Sequence, residues 1–238
     1  MQKTTISLLA LAFFTLGGFP AAAGHAQAPT ADNPYPTRAP FSEYLIADPA
    51  AEIALARTAA PPSVSQEAEI LVLGPTGYTT AVKGSNGFVC LVERAFAAST
   101  DFSEFFNPKN RSPNCVNAAA ARTYLPTIFL RTKLVIEGRT RPEIAKAIAA
   151  AFDAKQLPAL EPGAMAYMMS KEQYLNDGAK NWHPHLMWFV PSGDEKSWGA
   201  NLDGSPVLAA NDAEDHMIIF MVPLAAWSDG SPAPPMEH

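Results

Sequence analysis

Residues 69–94 read EILVLGPTGYTTAVKGSNGFVCLVER, and they punctuate themselves. An apolar run at 70–73 leads into Gly74-Pro75-Thr76-Gly77, an alternating segment fills 78–83, a glycine-bounded turn with an Asn-Gly pair spans 84–87, and a third apolar segment covers 88–94. Short runs rich in β-branched and aromatic residues, bounded by Gly, Pro and Asn, read as strands. Glycine supplies the positive φ angles that tight hairpin turns often need. The expectation is a three-stranded antiparallel meander.

On either side of this meander the pattern changes to helices. Asp48-Pro49 is a helix start, the carboxylate accepting from unpaired N–H groups and the proline standing in the first turn; Ile53, Ala56 and Ala60 supply a buried stripe and Pro61-Pro62 a stop. Asn117 caps a second helix up to Tyr124, where Pro126 breaks or kinks it; 128–136 carries no firm assignment. Thr140-Arg141-Pro142-Glu143 is a capping box, with Ile144, Ala147, Ile148, Ala151 and Phe152 at helical spacing behind it. Beyond Gly163 the chain turns strand-like again, at 164–169, 184–190 and 216–222. Taken together, the sequence predicts one α+β domain over 41–227, an antiparallel sheet that includes the meander, with helices packed on one side.

The ends of the chain read differently. Lys3, an apolar run at 6–19 and the small residues of 20–28 form a secretory signal peptide, removed between Ala23 and Ala28. Taking 1–26 as the signal leaves 238 − 26 = 212 residues, and loss of Lys3 moves the net charge from −6 to −7. Residues 27–40 are rich in Ala and Pro and read as an extended or disordered leader, and 228–238 as a flexible tail. The predicted location is periplasmic or secreted, with no membrane insertion after cleavage. In such an oxidising compartment Cys90 and Cys115 pair as a disulfide; a buried core thiol is the alternative for Cys90.

The runs EYLIADPAAEIALAR with AAPPS, GYTTAVKGSNGFVCLVER, EPGAMAYMMSK and NWHPHLMWFVP resemble those of an uncharacterised group of exported bacterial proteins. The resemblance covers most of the mature chain and implies export. It assigns no functional residue.

The densest chemistry lies in the last of those runs, at 181–191. On a strand, His183, His185, Met187 and Phe189 share one face, and two imidazoles so placed suit zinc or copper. Pro184 lacks an N–H and sets them at a strand start or sheet edge. His216, Asp215 or Glu172 would have to supply a third ligand. Methionines cluster nearby, at 165, 168, 169, 187, 217 and 221, either as copper ligands or as core filler. Glu214-Asp215 beside His216 reads as an acid/base pair or as a solvated turn. An acidic chain without a basic cluster excludes nucleic acid and anionic membrane surfaces. There is no His-Glu-x-x-His, no Gly-x-Ser-x-Gly and no dinucleotide fingerprint. Three readings stay open. The first is a non-catalytic domain that binds a small apolar ligand or a protein partner. The second is a zinc or copper protein using His183, His185 and His216, and the third a hydrolase assembled from distant segments.

Overall fold

The computed structural model describes residues 33–193 and 195–235; the segment expected to be a signal peptide, the first part of the expected leader and the last three residues lie outside this range. Its strands are β1 (Glu69–Gly74), β2 (Gly77–Val82), β3 (Val89–Glu93), β4 (Ser112–Val116), β5 (Met165–Met168), β6 (His185–Pro191), β7 (Leu208–Asp212) and β8 (Met217–Pro223). They form one sheet in the order β2-β1-β3-β4-β5-β6-β8-β7. The helices are α1 (Pro49–Arg57), the single turn α2 (Pro62–Ser65), α3 (Ala118–Thr123), α4 (Leu125–Ile136) and α5 (Arg141–Asp153). The α+β class is as expected.

The meander is corrected. β1 and β2 are an antiparallel hairpin, but β3 lies on the other flank of β1 and runs parallel to it, Glu69 opposite Val89 and Ile70 opposite Cys90. The connection at 83–88 is a crossing, not a hairpin turn. Ser85 and Asn86 donate their N–H groups to the Glu67 carbonyl, and Glu69 donates to that of Phe88. A Cβ on Gly84 would fall 2.1 Å from the Glu69 nitrogen, so this glycine is required by close backbone approach.

Helices on one side is also corrected, because both faces of β1 and β3 are apolar. Ile70, Cys90, Val92 and Cys115 pack beneath α1 with Ala56, Ala59 and Ala60. Leu71, Leu91 and Val116 point the opposite way, into a core closed by α3 and α4 through Ala120, Tyr124, Leu125 and Ile128. A strand alternates its side chains, so a continuous apolar run needs a cover on each face. At the far end of the sheet the α1-side face is covered by the loop residues Ala200 and Val207 against Ile218 and Phe220.

The caps follow the sequence. Asp48 accepts from the Ala50 N–H, Asn117 from that of Ala120, and Thr140 with Glu143 forms the capping box. Pro126 opens α4, in the first turn where a missing N–H leaves no hydrogen bond unmade, and 128–136 is therefore helical. The disulfide between Cys90 and Cys115 is present, joining directly opposed residues of β3 and β4. The described part of the leader is docked: the Tyr35 hydroxyl donates to Asp177, and Arg141 donates to the Asn33 side chain and the Tyr35 carbonyl. The described part of the tail is docked as well, with Ser228 donating to the Met169 carbonyl and Lys171 paired with Asp229. Among the described residues no helix is long and apolar enough to cross a membrane.

Candidate functional site

The cavity-bearing face of the sheet can be read from register. Glu93 stands opposite Ser112, and Leu91 opposite Asn114, so all four side chains share one face. The same face carries Met168 on β5, Met187 and Phe189 on β6, Met217 and Ile219 on β8, and Ala210 and Asp212 on β7. Residues 94–102 and 175–176 rise around it, enclosing a cavity of about 430 Å³. Its floor is thus methionine and aromatic, with a carboxyl at each end.

Glu93 is the unusual group. It is only 6% exposed, and its Oε1 accepts from Asn114 Nδ2 at 3.1 Å and from the Tyr124 hydroxyl at 3.3 Å. Both partners are neutral, and no ion pair reaches it among the described residues. Burial pushes its carboxyl up to about 7, with the bonds from Asn114 and Tyr124 and the more distant Arg131 pulling the other way. The Tyr124 hydroxyl, itself buried beside this carboxyl, is held well above the ordinary phenol value and stays a donor. Its ring is fixed by stacking on Phe189, centroids 4.2 Å apart. Asn114 Oδ1 is buried and accepts from no donor among the described residues. At the other end, burial and the neighbouring Asp215 push Asp212 up to about 6.

Glu214 and Asp215 are neither an acid/base pair nor a solvated turn. Arg131 of α4, fully buried, donates to Glu214 at 3.0 Å, to Asp215, and to the Ala97 carbonyl at 2.8 Å. Thr100 adds its N–H and hydroxyl to Glu214. This staple fixes the β7–β8 turn to the segment after β3. A second cavity, about 490 Å³, lies beyond Tyr124 and Met217, which line both. It is larger and apolar, with Phe152, Leu157 and Leu160 in its walls, but its buried carboxylate, Asp215, is already committed to Arg131.

The predicted metal set is not brought together. β6 begins at His185, leaving His183 before the strand. His185 is buried, its Nδ1 donates to the His183 carbonyl at 2.7 Å, and its ring meets that of Trp182 edge-on. Burial lowers its imidazole to about 4. His216 lies past the opposite end of β6, since His185 pairs with Pro223 and Pro191 with Met217; six residues of strand separate them by about 20 Å. There it stacks on Phe152, centroids 4.6 Å apart, with φ +55°. No group of three or more His, Cys, Asp or Glu side chains able to hold a metal ion occurs among the described residues. Met168, Met187 and Met217 face the cavity as apolar wall.

Glu93, Asn114, Tyr124 and Asp212 were not singled out by the sequence. The signal available was alternation, which puts Glu93 on the face of Val89 and Leu91 rather than at a solvated strand end. No protein-family model matches the chain, and no curated protein or solved structure shows significant similarity to it.

Proposed function

We propose that this protein binds a small, largely apolar molecule in the 430 Å³ cavity above β3–β8, with Glu93 as the polar anchor. One observation carries the reading: a buried carboxyl hydrogen-bonded only by neutral partners lines a cavity whose floor is formed by Met168, Met187, Phe189 and Met217. A solvent-accessible pocket of this volume, apolar with a few convergent polar groups, is the usual form of a small-molecule site. Methionine walls add adaptability, because the unbranched thioether side chain repacks around guests of different shape.

The test is saturation binding of the neutral dye Nile red. Ala210 is exposed on β7 and lines this cavity, and Ala159 is exposed and lines the second one, so Ala210→Trp and Ala159→Trp plug them separately with little strain on the core. The expected result is near-stoichiometric binding that is lost in Ala210→Trp and kept in Ala159→Trp. Absence of binding by the unsubstituted protein refutes the reading, and the reverse pattern of loss moves the site to the second cavity.

A further inference from the structure

The charges around the cavity suggest what kind of molecule it takes. We infer that the ligand carries a basic nitrogen on its apolar body, and that the ammonium is held by Glu93 in a cavity where, among the described residues, no unpaired cation competes. This deepens the binding reading above and rests on it.

Among the described residues, four charged ones line the cavity: Glu93, Arg94, Asp101 and Asp212. Arg94 is spent elsewhere. It lies fully buried on the α1 side, where its Nη2 meets Glu52 Oε1 at 2.9 Å and its Nε donates to the Tyr44 carbonyl at 2.6 Å. Arg131, a cation of α4, is ion-paired by Glu214 and Asp215, and its Nη groups donate to these two carboxylates and to the Ala97 carbonyl. Three carboxyls therefore face the space without a guanidinium or ammonium of their own. The hydrogen bonds from Asn114 and Tyr124 both fall on Glu93 Oε1, and Oε2 accepts from no described residue. An anion entering here would meet carboxylates in a poorly solvated space, whereas an ammonium completes the missing pair.

Binding has a proton balance. The neutral fraction of Glu93 gives up its carboxyl proton to solvent as the ammonium arrives, because the charged form is the one the ammonium pairs with. The ammonium keeps its own protons and no covalent bond forms. The groups facing Glu93 from the packed elements are Asn114, Tyr124 and Arg131, of which only Arg131 is charged. Near neutral pH the release is a fraction of one proton per ligand, contributed by Glu93 and, to a smaller extent, by Asp212.

The experiment compares phenylbutylamine, phenylbutanol and phenylbutyrate by calorimetry, in buffers of differing ionisation enthalpy, for the full chain and for Glu93→Gln. The expected result is at least about tenfold tighter binding of the amine than of the alcohol, a preference equivalent to about 1.4 kcal/mol. The amine alone releases protons, and Glu93→Gln abolishes both the preference for amine over alcohol and the proton release. Equal binding of amine and alcohol, or tightest binding of the acid, overturns the inference and leaves an apolar site standing. No binding of the amine overturns it too, and the Nile red result then decides separately whether the cavity binds anything. Glu93→Gln unfolding midpoints at neutral pH guard against a merely misfolded variant.

Discussion

Replacing Glu93 by Gln removes one titration from the core while keeping an acceptor for Asn114 and Tyr124, and its effect on stability is opposite to that of losing an ordinary paired carboxylate. In the folded protein burial raises this carboxyl from the usual 4.5 to about 7. Between those values the folded chain holds a proton that the unfolded chain releases, so the contribution of Glu93 to stability is fully present below about pH 4.5 and is lost as pH rises through about 7. The gap between 4.5 and about 7 is equivalent to roughly 3 kcal/mol at 1.36 kcal/mol per pH unit. Gln does not titrate. The difference in unfolding free energy between Glu93→Gln and the parent therefore moves in favour of the variant by roughly 3 kcal/mol between about pH 4.5 and about pH 8. Every other titration, including those of His185 and Asp212, cancels in that difference to first order. Urea unfolding of both proteins across the range measures it, with the disulfide kept intact. A difference that is flat with pH would mean that Glu93 is solvated and titrates normally, and the anchor argument would fall.

Two further expectations concern the rest of the fold. His185 works in the reverse sense: burial lowers it from 6.5 to about 4, so its contribution is present above about pH 6.5 and lost as pH falls toward 4. Its ring resonances, followed by NMR, should not titrate above about pH 5, and a His185→Gln variant should lose part of the parent's destabilisation on acidification. Replacing Cys90 and Cys115 by Ala opens a cross-link of sequence separation 25 and should lower the unfolding free energy by about 3.5 kcal/mol in the chain-entropy picture, read as a fall in the urea midpoint.

Much of the local structure was legible because it is written in neighbouring residues. The Asp48-Pro49 and Thr140–Glu143 starts, the β1–β2 hairpin and the strands at 165–168, 185–191 and 217–223 all follow from capping chemistry and periodicity. What failed depended on partners distant in sequence. The stretch SPNCV of β4 looks like a loop because Pro113 interrupts it, yet β5 pairs only with Cys115 and Val116, so the missing N–H falls where the strand has no neighbour on that side. The parallel placement of β3 was hidden because Gly84 is used for a close backbone crossing, which no turn signal distinguishes from a hairpin. For the site, alternation along 89–93 marked Glu93 as facing with Leu91, but only the register with β4 and the approach of α3 show that Asn114 and Tyr124 meet it. The histidines attracted attention by spacing along one strand. Their separation arises from where that strand begins and from which end β8 enters.

The cavity's two sides are secured by bonds of different kinds. Behind Glu93, Ser112 and Asn114 the disulfide ties β3 to β4 covalently, so this side keeps its geometry through changes in pH and ionic strength. The opposite side, formed by β7 and the turn before β8, is clamped to α4 through Arg131, Glu214 and Asp215, a join of charges in which burial pushes the Asp215 carboxyl up, so it weakens when Asp215 takes up a proton. The molecule thus resembles a vice with one fixed and one adjustable jaw, and acidification loosens the adjustable one first.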